Sequence, residues 1–210
     1  GCMREASTAS AAAPPAGEAV VAPAPRDDAW RLPGAFAADT TVEALRHRFG
    51  AANVHIAPVP LGEGQTERGV VLFADDPARR VYVHFHDPEA LLGLRAVRVV
   101  DAGSRWQLEP GVRIGMPASA LVALNGAPVS YLGFDWDYGG TVIDWHGGRL
   151  ADSPLRAIVR LRLVRPPDTA PGFAVPTGDG TFHSDDARYR DAFAHAVVDE
   201  FTLQWPHAEP

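Results

Sequence analysis

At 210 residues, with 46% hydrophobic and 21% charged residues, the chain is long enough to bury a sizeable core as one large domain or two small ones. A net charge of −7 argues against a nucleic-acid binder, which needs clustered positive charge to displace counterions from phosphates. The single cysteine, Cys2, rules out an internal disulfide and a zinc site built on several thiolates, and no apolar run approaches the roughly 18 residues a membrane helix needs.

The chain opens Gly1-Cys2-Met3 and continues to about Asp28 in Ala, Pro, Ser and Thr, with no aromatic residue before Trp30. Such a segment cannot bury enough apolar area to offset its ordering entropy, and its prolines stiffen it toward an extended form. Residues 1–29 are therefore expected to form a disordered tether. The Gly-Cys start resembles the processed end of a bacterial lipoprotein, the alternative being a free cysteine in a disordered tail. The resemblance implies lipidation of Cys2, a lipid membrane as one partner, and a place on the periplasmic side of the bacterial cell envelope.

Ordered structure is expected from Trp30. Thr40 with Glu43 spells a capping box; Val42, Leu45 and Phe49 then share one helical face, and Gly50 is a stop. Strand-like runs follow at Val54–Ile56, Gly69–Phe73, Arg80–His86 and Leu94–Val100, with Asp75-Asp76-Pro77 as a turn. Gly62-Glu63-Gly64 reads as a flexible loop and lacks the lysine of a phosphate-binding loop. The pattern then returns. Pro117 suits the first turn of a helix over Ala118–Leu124, stopped by Asn125-Gly126. Strands are expected over Val129–Asp137, Thr141–His146 and Leu155–Leu163. A loop from Pro166 to Gly180, a helix near Asp186–Ala196 and a strand near Val197–Trp205 complete the chain.

The two helix ends share a spelling: Ala44-Leu45, four residues, Gly50-Ala51, against Ala120-Leu121, four residues, Gly126-Ala127. This predicts an α+β body of two tandem helix-plus-antiparallel-sheet units, residues 30–106 and 107–210. The stretch from Gly115-Met116-Pro117 to Gly126-Ala127-Pro128 resembles the Gly-Met, short helix, Gly-x-Pro segment of the BamE-like (SmpA/OmlA) lipoproteins. The tandem order is similar to the β-lactamase-inhibitor-protein-like fold, in which two such units form a curved sheet backed by helices. BamE-like proteins carry one unit rather than two, and the secreted β-lactamase inhibitor has disulfides that this chain cannot form.

The most informative local run is Gly133 to His146. Gly139-Gly140 suits a two-residue primed turn, which requires positive φ. That turn would pair Tyr138 with Thr141, Trp136 with Ile143 and Phe134 with Trp145 on one apolar face. The other face would carry Asp135 opposite Asp144, with Asp137 and His146 alongside. Like charges facing each other need compensation. Arg156, Arg160 and Arg162, on one face of the next strand by period two, would supply it. This set reads as a solvated salt-bridge lattice, a polar recognition surface for a protein or peptide, or a metal or carboxylate site.

His84 and His86, with Asp87 near, also share a face at zinc-compatible spacing, though no third ligand is evident. No Gly-x-Ser-x-Gly motif is present. No cofactor is implied. The expected function is a non-enzymatic, lipid-anchored binding or scaffolding module for an unidentified envelope protein, read by Asp135, Asp137, Asp144, His146, Arg156, Arg160 and Arg162. The alternatives are an inhibitor of an envelope or secreted hydrolase, and a metal-dependent enzyme.

Overall fold

The computed structural model describes residues 27–152, 154–167 and 172–207. Cys2 and most of the expected tether lie outside them. The described chain is a mixed α+β body of two antiparallel sheets, one two-residue parallel pair and three short helices. After a 3-10 turn at Asp27–Trp30 come β1 (Arg31–Leu32), α1 (Val42–Phe49) and the strands β2 (Val54–Gly62), β3 (Gln65–Leu72), β4 (Val81–Asp87) and β5 (Leu92–Val99). Then follow β6 (Gln107–Leu108), α2 (Ala118–Asn125), β7 (Ser130–Leu132), β8 (Val142–Asp144), β9 (Arg156–Leu163), β10 (Thr181–His183), α3 (Arg190–Ala194) and β11 (Ala196–Gln204).

The main sheet runs β2-β3-β4-β5-β11-β9, and a smaller one runs β10-β7-β8. The two touch where Thr141 bridges Arg160 and the Leu161 amide donates to the Gly140 carbonyl at 2.8 Å. One face of the main sheet is apolar: Val70, Leu72, Val83, Phe85, Val97, Val99, Val159, Phe201 and Leu203 are all buried there. Leu45 of α1 and Leu121 of α2 join the same core, so the helices cover that face. Trp106 fills the α1 side. It packs with Trp30, Phe36 and Phe49 at ring-centroid distances of 5.3–6.2 Å, and its indole donates to the Arg79 carbonyl at 2.7 Å.

Local chemistry explains the element ends. Thr41, not Thr40, caps α1; its hydroxyl accepts from the Ala44 amide at 3.1 Å, while the buried Thr40 accepts from Ala37 at 2.8 Å. Gly126 closes α2 in the left-handed conformation, at φ 75°. The expected 186–196 helix is a 3-10 turn, Ala187–Tyr189, running into the five-residue α3. On β2, the outer strand of the main sheet, Pro58 and Pro60 alternate and so face the same side. A proline nitrogen cannot donate into a ladder, so that side is the free edge.

The hairpin of residues 133–146 departs from expectation. β7 stops at Leu132 and β8 starts at Val142, with Ser130 facing Asp144 and Tyr131 facing Val142. Residues 133–140 form a loop, closed by the Leu132 amide on the Thr141 carbonyl and the Gly140 amide on the Leu132 carbonyl, both at 2.9 Å. Phe134 is drawn away to the 176–178 segment, where its amide donates to the Pro176 carbonyl at 2.8 Å. The glycines serve close packing instead of a two-residue turn. A Cβ on Gly140, at φ +78°, would stand 1.9 Å from the Leu161 carbonyl oxygen. The expected apolar face is therefore split: Phe134 and Trp145 are buried, whereas Trp136, Tyr138 and Ile143 are exposed. Asp135 does not face Asp144.

On β7, Tyr131 is sealed in the core against Phe134, Phe182 and Phe193, and its hydroxyl has no hydrogen-bond partner. Burial, with Asp186 and Tyr189 adding, pushes that phenol up to about 12. A buried, unpaired hydroxyl costs about 1–3 kcal/mol of desolvation. Tyr131→Phe is expected to raise stability by about 1 kcal/mol in urea denaturation; a loss of that size would show that the hydroxyl is satisfied.

Candidate functional site

The open face of the main sheet carries an ionic lattice that two β-bulges make possible. On β5, His84 faces Ala96 and Phe85 faces Leu94, which leaves Arg95 as the extra residue. Arg95 and Arg98, three apart, would point to opposite faces of a regular strand; the bulge puts both on the open side. On β11, Val198 faces Leu161 and Glu200 faces Arg160, leaving Asp199 as the extra residue. Adjacent acids thereby reach one arginine.

The contacts run as a chain across the strands. The Glu67 carboxylate takes His84 Nδ1 at 2.7 Å and pairs with Arg95. Glu200 pairs with Arg98 at 3.0 Å and Arg160 at 3.1 Å. Asp199 pairs with Arg160 at 3.1 Å and Arg162 at 3.0 Å. The Nε atoms of Arg95 and Arg160 are buried without a partner, so the lattice has unused donors.

Two hairpin tips reach over this face. Pro60 to Glu63, at the β2–β3 tip, and Asp137 with Tyr138, in the β7–β8 loop, wall a groove of about 800 Å³ above His84, Arg95, Arg98, Arg160, Glu200 and Thr202. Arg98 donates to the Pro60 carbonyl at 3.3 Å, and the Tyr138 hydroxyl to Glu63 Oε1 at 2.8 Å, which ties the tips together. That bond and the Glu63 charge raise the Tyr138 pKa above the usual phenol value. Leu61 and Tyr138 give the rim exposed apolar surface, and the exposed Trp136 packs edge-on against Tyr138. Gly62-Glu63-Gly64 is thus part of a structured clasp.

The residues singled out from sequence are dispersed. Arg160 and Asp137 line the groove. Asp135 pairs with Arg165 at 2.5 Å and, with Arg162 and Asp199, borders a smaller cleft of about 240 Å³ beside Trp136. Arg156 lies 3.9 Å from Asp152 at the start of β9. Asp144 and His146 sit on the smaller sheet beside Ser130. The arginines do share a face on β9, opposite buried Ala157, Val159 and Leu161, but Arg160 and Arg162 are neutralised by β11 acids instead of the loop aspartates. Among the described residues, no three of His, Cys, Asp and Glu gather closely enough to hold a metal ion. His86 Nε2 instead contacts the Trp205 carbonyl at 3.2 Å.

No family model matches the chain, and no curated protein or solved structure is significantly similar to it.

His84 is the most deeply buried titratable group of the groove. Desolvation holds its pKa below the ordinary 6.5, outweighing the opposite pull of Glu67; Arg95 and Arg98 push the same way as burial. The folded chain therefore binds this proton less readily than the unfolded one. The stability involved is fully present above pH 6.5 and is lost as pH falls toward the folded value. The melting temperature of the wild type is expected to fall more between about pH 7.5 and about pH 5.5 than that of His84→Gln. Parallel curves would show that His84 does not titrate in this way.

Proposed function

We propose that this chain is a lipid-anchored binding or scaffolding module of the bacterial cell envelope, built from two tandem helix-plus-sheet units, with its groove open to the periplasm. Several equivalences support the tandem reading. α1 and α2 each bury a leucine at their fourth residue and end at a glycine. β5 and β11 each bulge at their fourth residue. These two strands pair antiparallel with Arg98 facing Thr202, the register that a two-fold relation between the units would require. The lipid anchor is supported by the Gly1-Cys2-Met3 spelling and the Ala/Pro-rich stretch behind it.

The binding reading is carried by the groove. Its volume suits a ligand segment, its lining sets Arg95, Arg98 and Arg160 against Glu200, Glu63 and Asp137, and its rim offers Tyr138 and Leu61. Arginine and aromatic residues are the side chains most enriched at binding hot spots. Because the floor is charge-compensated, the complementary occupant is a protein segment of mixed charge with an apolar anchor for the rim. A uniformly acidic or basic one would face like charges somewhere along it.

Thr202, in the middle of the floor, provides the test. Panning a displayed peptide library against the protein is expected to enrich mixed-charge sequences that bind at least about tenfold more weakly to folded Thr202→Trp, a loss of roughly 1.4 kcal/mol. Peptides that bind both proteins equally, or none at all, would overturn the groove as the recognition surface. The anchor has its own test: expressed from its natural reading frame, the wild type should incorporate palmitate and partition with membranes, and Cys2→Ser should do neither. A wild type found unlabelled in the soluble fraction would remove the envelope assignment.

A further inference from the structure

Away from the groove, the smaller sheet brings a serine and two imidazoles together in a way that no sequence motif announces. Ser130, on the central strand β7, is 3% exposed. Its Oγ lies 2.6 Å from His146 Nε2 and 2.9 Å from His183 Nδ1. His183 is the register partner of Ser130 on β10, and Asp144 is its register partner on β8. His146 follows Asp144 in a left-handed conformation, at φ 48°. Asp144 Oδ1 accepts the His146 backbone N–H at 2.7 Å, and Oδ2 lies 4.0 Å from the ring Nδ1. The turn so held lays the imidazole back over β7.

A proton count assigns the roles. With the His146 proton on Nδ1, the ring nitrogen that lies 4.0 Å from Asp144 Oδ2, the Nε2 lone pair is free. The serine has one proton to give, and it goes to that lone pair. His183 must then donate its own Nδ1–H to Oγ. One imidazole is therefore placed to take the hydroxyl proton, while the other stabilises the oxygen that loses it. A nucleophile in contact with a base, the base oriented by a third group, is the arrangement that activates serine toward acyl transfer.

We propose that Ser130 is a reactive acyl-accepting nucleophile, activated by His146 and assisted by His183, whose co-reactants are small activated esters. In the step, Oγ attacks the carbonyl carbon and the Oγ–C bond forms while the hydroxyl proton moves to His146 Nε2. The bond from carbon to the leaving oxygen then breaks, and that oxygen takes the proton from Nε2. The products are an ester on Ser130 and a free alcohol, with no redox change. This chemistry is independent of the groove and compatible with a binding module that is acylated once.

The probe is p-nitrophenyl acetate, applied to the full chain with peptide mapping by mass spectrometry. The sequence contains no lysine, so side-chain amines do not compete for the acetyl group. The expected result is one acetyl group on the peptide carrying Ser130, formed in the folded protein and not in the urea-unfolded chain. Folded His146→Gln should acetylate Ser130 about 100-fold more slowly, the typical contribution of a general base. The wild-type arm decides irrespective of how the variant folds. No adduct on Ser130, or labelling as fast in urea, would reduce the constellation to a hydrogen-bonded hub; an undiminished rate in folded His146→Gln would remove His146 as the base.

Discussion

The pairing of β5 with β11 is the constraint on which the rest depends. Along this seam Val97 faces Leu203 and Val99 faces Phe201, and all four side chains are buried. The seam makes one sheet from strands that lie far apart in the chain, and its apolar side is continuous with the core beneath α1 and α2. Its other side sets Arg98 opposite Thr202. A slip of β5 by one residue against β11 would turn Val97 and Val99 outward and Arg98 inward while Phe201 and Leu203 stayed in the core. The register is thus enforced by the free energy of the core, and the ionic face inherits its geometry from that choice.

What the seam positions, the bulges elaborate. A regular strand offers a charge to one face at every second residue. The lattice needs a denser supply, and each bulge provides it by inserting one residue into the open side. The resulting pairs are partly sheltered, with Glu67 and Glu200 side chains 18% exposed. Removing a single member would strand its partners at reduced hydration, which costs more than the pair gains when it forms. The network therefore resists piecemeal change, and the Arg95 and Arg98 side chains are held in place by Glu67 and Glu200.

The sequence made the coarse architecture readable and misled at the hairpin. Helix ends at Gly50 and Gly126, and the in-out alternation of β9, follow directly from local chemistry. The 133–146 run failed because Gly139-Gly140 has two physical explanations, a primed turn or close backbone packing. Only the contact of Gly140 with Leu161, from another strand, decides between them. The short β10, just after the Pro/Gly-rich loop, went unread because its pairing with β7 is purely non-local. The groove was invisible for a similar reason. Arg95 and Arg98 look opposed by period two, and Asp199 lies next to Glu200, so nothing local marks either pair as sharing a face. Arg160 and Asp137 were found, but with the wrong neighbours.

The prolines on β2 limit how this protein can meet another. A foreign strand laid along that border would find Pro58 and Pro60 where it needs amide donors, so the sheet cannot be lengthened there by borrowing a neighbour's backbone. Main-chain addition is a permissive mode of association, indifferent to most side chains. With backbone addition blunted at β2, any partner of the groove proposed above would be selected by side-chain chemistry at the charged floor and the Tyr138 rim, residue by residue.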